Sequence, residues 1–121
     1  MRTLLFAAAL LFSSQVHAED VQSANFMMPG CESYLRTLGK DRIVAEEYSI
    51  VGGRCGGIVE ALMSVANVMD PGNGFCPPRS ASIDKGVRVV VSYIRNIPRR
   101  THENFTLLAL EAMRKAWPCR R

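Results

Sequence analysis

Four cysteines constrain this chain more than any other feature. Cys31, Cys55, Cys76 and Cys119 are spread along it, and no two are close enough for the CxxC spacing of a redox or zinc motif. They follow an N-terminus, MRTLLFAAALLFSSQVHAED, in which one arginine precedes an apolar run from Leu4 to Phe12, a short polar stretch and Val16-His17-Ala18. That succession has the form of a secretory leader cleaved after Ala18. The apolar run is shorter than the roughly 20 residues a membrane span needs. The sequence therefore predicts a signal peptide at 1–18 and one exported, periplasmic domain at 19–121, with no membrane insertion after cleavage. An even number of cysteines in a small exported domain reads as a disulfide framework.

The rest of the pattern is helical. Residues 19–30 read as loosely structured, although Pro29 could instead start a helix. CESYLRTL at 31–38 is a short amphipathic helix, with Gly39 as its terminator and a further turn from about Ile43. A long helix is expected over 46–69. Its apolar stripe is Ile58, Leu62, Val65 and Met69, widened by Val51, Cys55, Val59 and Ala66. Asp70-Pro71-Gly72-Asn73-Gly74 stops it, and Phe75-Cys76-Pro77-Pro78 continues as a rigid connector. Ser80 or Ser82 caps the next helix. There Val87, Val90, Val91, Ile94 and Ile97 form one stripe, while Asp84, Lys85, Arg88, Ser92 and Arg95 face away. VRVVV alone would suit a strand, but the longer 3.6-residue period favours a helix. Pro98 ends it. Thr101 is expected to cap a last helix with Phe105, Leu108, Ala112 and Ala116 on one face and Pro118 as its stop. The fold class is all-α, a small disulfide-stabilised bundle of about four helices.

Four cysteines allow three connectivities. Pro98-Arg99-Arg100 is a short turn, so the helices on either side run antiparallel. Cys76 before the first and Cys119 after the second then meet, which leaves Cys31 with Cys55. On the loop-entropy argument these closures contribute about 3.5 kcal/mol for Cys31–Cys55 and about 4 kcal/mol for Cys76–Cys119.

GGRCGG at 52–57 is the one stretch that invites a catalytic reading. A phosphate loop needs GxxxxGK[ST], and no Lys-Ser or Lys-Thr follows these glycines. A nucleophilic Cys55 would need a base, and His102 is the one histidine left after leader removal. The reading that fits is structural: Cys55 in a disulfide, with Gly52, Gly53, Gly56 and Gly57 letting another backbone come close. No cofactor, metal or enzymatic activity is expected. The chain carries 15 Lys and Arg against 11 Asp and Glu. The excess falls in short clusters rather than a basic tract, which argues against a nucleic-acid partner. Arg79, Arg99 and Arg100 are the candidate contacts to an acidic protein partner.

Taken in order, NFMMPGCESYL (25–35), GGRCGGIVEAL (52–62), FCPPRSASIDKGVRVVVSYIRNIP (75–98) and ALEAMRKAWPC (109–119) resemble the Rap/Tai immunity proteins of type VI secretion amidase effectors. The resemblance implies an exported, all-helical, disulfide-bonded protein. Such a protein binds and blocks a peptidoglycan-cleaving amidase, often as a homodimer, and its family cysteines fall on Cys31, Cys55, Cys76 and Cys119. The alternative is a periplasmic helical binding or chaperone-like protein with no toxin partner.

Overall fold

The computed structural model describes residues 19–37 and 46–120. The expected leader with its cleavage point after Ala18, the terminator Gly39 and the turn from Ile43 lie outside the described residues. Among the described residues four α-helices make the fold: α1 (Ala24–Thr37), α2 (Glu46–Val65), α3 (Ile83–Arg95) and α4 (Phe105–Ala116). Short 3₁₀ turns follow α2 at Ala66–Val68 and separate α3 from α4 at Pro98–Arg100. Among the described residues the β pairing is one isolated bridge, Ser23 with Asn104.

α1 begins earlier than its sequence suggests. Residues 24–30 are helical and Pro29 lies inside the helix, where it removes one intrahelical donor and strains the preceding turn. Its start is held from outside. The Ala24 and Asn25 amides donate to the carbonyls of Glu103 and Thr101 at 2.9 and 2.8 Å, and the Phe26 amide donates to Ser23 Oγ at 3.3 Å. Three of the four amides that a helix start leaves without partners are thereby satisfied, two of them by a loop far away in sequence.

α2 is rotated relative to its expected stripe. Gly52, Cys55, Gly56 and Val59 are buried, followed by Ala66 in the 3₁₀ turn, while Ile58, Leu62 and Met69 are half-buried and Val65 is 44% exposed. The Cys31–Cys55 bond and the seat of α1 on this face set that rotation.

α3 starts at Ser82, whose Oγ accepts from the Lys85 amide at 3.2 Å. It buries Val87, Val90, Val91 and Ile94. The cap of α4 is Asn104, not Thr101: Asn104 Oδ1 accepts from the Leu107 amide at 3.2 Å. Thr101 instead follows the 3₁₀ turn and donates to the Pro98 carbonyl. α4 buries Phe105, Leu108, Ala109, Ala112 and Met113, and Ala116 is exposed. Met27, Phe75 and Phe105 are the largest aromatic and thioether side chains in the core. Phe75 stacks on Trp117 with ring centroids 6.4 Å apart, beside the Cys76 amide, which donates to the Trp117 carbonyl.

Candidate functional site

The GGRCGG segment lies in the first half of α2, and its glycines divide into two pairs. Gly52 and Gly56 face α1. A Cβ on Gly52 would sit 3.1 Å from the Gly30 carbonyl oxygen, and one on Gly56 would sit 3.0 Å from the Tyr34 ring. The expectation of close approach is corrected at Gly53 and Gly57. Both are exposed, and a Cβ on either would meet nothing within 4 Å. Consecutive pairs in a helix cannot all face one neighbour, because each residue advances the azimuth by about 100°.

The tightest contact belongs to a glycine outside the motif. A Cβ on Gly30 of α1 would fall 2.4 Å from Val51 Cγ1 and 2.7 Å from the Val51 carbonyl carbon. Gly86 of α3 is similarly crowded, with Val59 Cγ1 at 2.7 Å and Met63 Sδ at 2.8 Å. For Gly86 the sequence signal was a glycine inside an amphipathic helical run; Gly30, after Pro29 in a stretch read as loosely structured, gave none.

Cys31 and Cys55 are bonded, with Cα atoms 5.4 Å apart, and both are fully buried. Cys76 and Cys119 are bonded at a Cα separation of 4.9 Å, and Cys76 is exposed. Cys55 is therefore neither a thiolate nor within reach of solvent. Among the described residues, no three His, Cys, Asp or Glu side chains gather as a metal site requires.

The three candidate arginines have different surroundings. Arg100 is engaged within the fold and is corrected as a free contact. Its guanidinium donates to both carboxylate oxygens of Glu103 at 2.8 and 2.7 Å, and to both of Glu111 at 2.9 and 3.0 Å. Hydrogen bonds from Arg100 hold the Glu103 and Glu111 carboxyls below the usual carboxylate range, and the Arg100 guanidinium is raised in return. Tyr93 Oη donates to Glu111 as well, at 3.0 Å. Partial burial, then that hydrogen bond, raises the Tyr93 phenol. The cluster joins the turn after α3 to the middle of α4. Its signal in the sequence was Glu103 three residues after Arg100.

Arg79 is exposed on the connector and lines a cleft of about 310 Å³ between α2 and residues 77–83, with Glu60, Met63 and Ile83 among its walls. Arg99 is exposed in the 3₁₀ turn. The structure does not bring Arg79 and Arg99 together with Arg100 as one site.

The outward side of α2 runs Ile50, Gly53, Gly57, Ala61 and Val65, with Val68 just beyond its end, all exposed. Ile50 and Val68 are 82% and 83% exposed. A helix that is apolar on both sides is normally covered on both. Among the described residues no helix is long and apolar enough to cross a membrane.

Two disulfides and the close crossing of α1 on α2 hold the fold, so its exterior is fixed in shape. No curated protein and no solved structure matches the chain. The family model for Rap1a immunity proteins matches residues 23–119, a span that takes in all four helices and all four cysteines. The chain belongs to the Rap1a immunity protein family.

Proposed function

We propose that this immunity protein acts in the periplasm, where it binds and inhibits a secreted peptidoglycan amidase delivered by type VI secretion. The family match over residues 23–119 carries the reading. It implies protection against a secreted effector, and the earlier resemblance to amidase-effector immunity proteins narrows the effector class. Inhibition is by binding and not by chemistry. Two disulfide bonds, one between the middles of α1 and α2 and one joining the segments before α3 and after α4, lower the ordering cost of docking and suit an oxidising compartment.

Co-production of the full chain with the amidase effector encoded nearest to it, the amidase being directed to the periplasm, tests this. Growth is expected to be rescued and the two proteins to co-elute on size exclusion. Lysis without a complex refutes it. Edman sequencing of the exported product is expected to begin at Glu19.

The homodimer belongs to the same proposal. Gly53, Gly57 and Ala61 form a shallow track flanked by Ile50, Val65 and Val68, and a second copy of the same surface would fit it across a two-fold axis. Light scattering of wild type against Gly57→Leu is the measurement. Wild type is expected at twice the chain mass and the variant at the chain mass.

A further inference from the structure

Apart from the Ser82 cap and the Arg95–Glu32 pair, the outer face of α3 makes no contact that the fold needs, and it takes no part in the proposed pairing. Between Ser82 and Arg99 the exposed residues are Ser82, Lys85, Arg88, Ser92, Arg95, Asn96, Pro98 and Arg99. Four are cations and none is an acid. The one carboxylate on α3, Asp84, is half-buried and accepts a hydrogen bond from Tyr34 Oη at 2.9 Å. Arg95 pairs with Glu32 of α1 at 3.2 Å, while Lys85, Arg88 and Arg99 make no ion pair among the described residues.

At about 1.5 Å rise per residue, Lys85 and Arg88 are roughly 5 Å apart along the axis and Arg95 a further 10 Å or so. These spacings are close to the Debye length of about 8 Å at physiological ionic strength, so an approaching molecule meets the sum of the charges and not each in turn. On one flank of this ridge lies a groove of about 350 Å³ between α3 and α4. Val89, Ile97 and Ala116 contribute to its walls, and Lys115 stands at its edge with Nζ 5.8 Å from the Tyr93 ring centre. Apolar walls beside a one-signed ridge match the anatomy of a protein contact that is steered electrostatically and then packed.

We infer that the basic ridge of α3, with the α3–α4 groove beside it, is the surface on which this protein receives an acidic face of its protein partner. The inference rests on the immunity reading for the partner being a protein, and it replaces the scattered set Arg79, Arg99 and Arg100 with Lys85, Arg88, Arg95 and Arg99.

The test has two arms. In the first, the ¹⁵N-labelled full chain is titrated with a deca-glutamate peptide at low salt. Amide shifts confined to residues 83–99 and 112–116, and lost in 0.5 M NaCl, are expected. Shifts centred elsewhere, no shifts at low salt, or tighter binding to phosphatidylglycerol vesicles than to the peptide overturn the inference. In the second, association with the amidase effector is followed for wild type and for Lys85→Gln/Arg88→Gln/Arg99→Gln. The association rate is expected to fall about tenfold at low salt, with the gap closing as salt rises and dissociation nearly unchanged. An unchanged association rate overturns the inference and leaves the immunity function standing. Failure of wild type to bind the amidase, with the peptide still mapping to α3, faults the amidase assignment alone.

Discussion

One substitution made at two glycines of the same interlocked helix pair should move stability in opposite directions. Gly30→Ala places a methyl 2.4 Å from Val51 Cγ1 and 2.7 Å from the Val51 carbonyl carbon. The second of these atoms is backbone inside α2, and the neighbouring Cys31–Cys55 bond stops α1 from sliding away. Overpacking of this kind costs about 1–3 kcal/mol, and a backbone obstacle puts it at the upper end. The exchange also removes glycine from a helix interior, which returns about 1 kcal/mol. The net expectation is a loss of about 2 kcal/mol, a fall in Tm of about 10 °C for a domain of this size. Gly53→Ala has the same helix-propensity gain and no clash, since its methyl meets nothing within 4 Å. It should raise stability by about 1 kcal/mol and Tm by about 5 °C. Guanidinium unfolding of the oxidised proteins, followed by far-UV circular dichroism at sub-micromolar concentration to keep pairing out of the measurement, reads both. Equal shifts of the same sign, or a Gly30→Ala protein as stable as wild type, would show that α1 and α2 do not cross as closely as described.

Three further outcomes follow from the same contacts. Under native conditions dithiothreitol should open Cys76–Cys119, in which Cys76 is an exposed residue, well before the fully buried Cys31–Cys55; alkylation and peptide mass spectrometry give the order, and simultaneous opening would contradict it. Asn104→Ala should cost about 1 kcal/mol through loss of the α4 cap, read from the denaturation midpoint, whereas Thr101→Ala should cost less. The depressed Glu103 and Glu111 carboxyls contribute stability that is complete above the ordinary glutamate pKa of 4.5 and is lost as pH falls through their lower folded values. Acid unfolding of Glu111→Gln should therefore be shallower than that of wild type below pH 4.5, and an identical acid limb would remove the Arg100 cluster as its cause.

The helical character and the number of helices were legible because α3 and α4 carry sharp local signals: a 3.6-residue stripe in each, proline beyond the end, and for α3 a serine at the start. Cysteine pairing was legible for the same reason, since a short turn at Pro98 dictates which ends meet. The start of α1 was not. Pro29 and Gly30 are breakers by local rules, and the bonds that overrule them come from the carbonyls of Thr101 and Glu103. Thr101 reads as the cap of the last helix, but the 3₁₀ turn at Pro98–Arg100 precedes it and the helix starts at Asn104. Arg100 looked free because Glu111 lies eleven residues on, nearly two turns into α4.

α2 is where periodicity misleads in an instructive way. A helix with apolar or small residues on most of its circumference offers several stripes of similar strength, and the strongest by side-chain size, Ile58, Leu62, Val65 and Met69, is not the one buried deepest. Burial follows Gly52, Cys55, Gly56 and Val59 because small residues let α1 come near enough for the disulfide to form. Gly53 and Gly57 gain nothing from that arrangement within the chain, and each still carries the helix penalty of glycine, about 1 kcal/mol. The proposed pairing gives these two glycines a use outside the chain, the approach of another backbone, and on α3, where cations fill the same kind of outward row, the inferred partner is one of opposite charge.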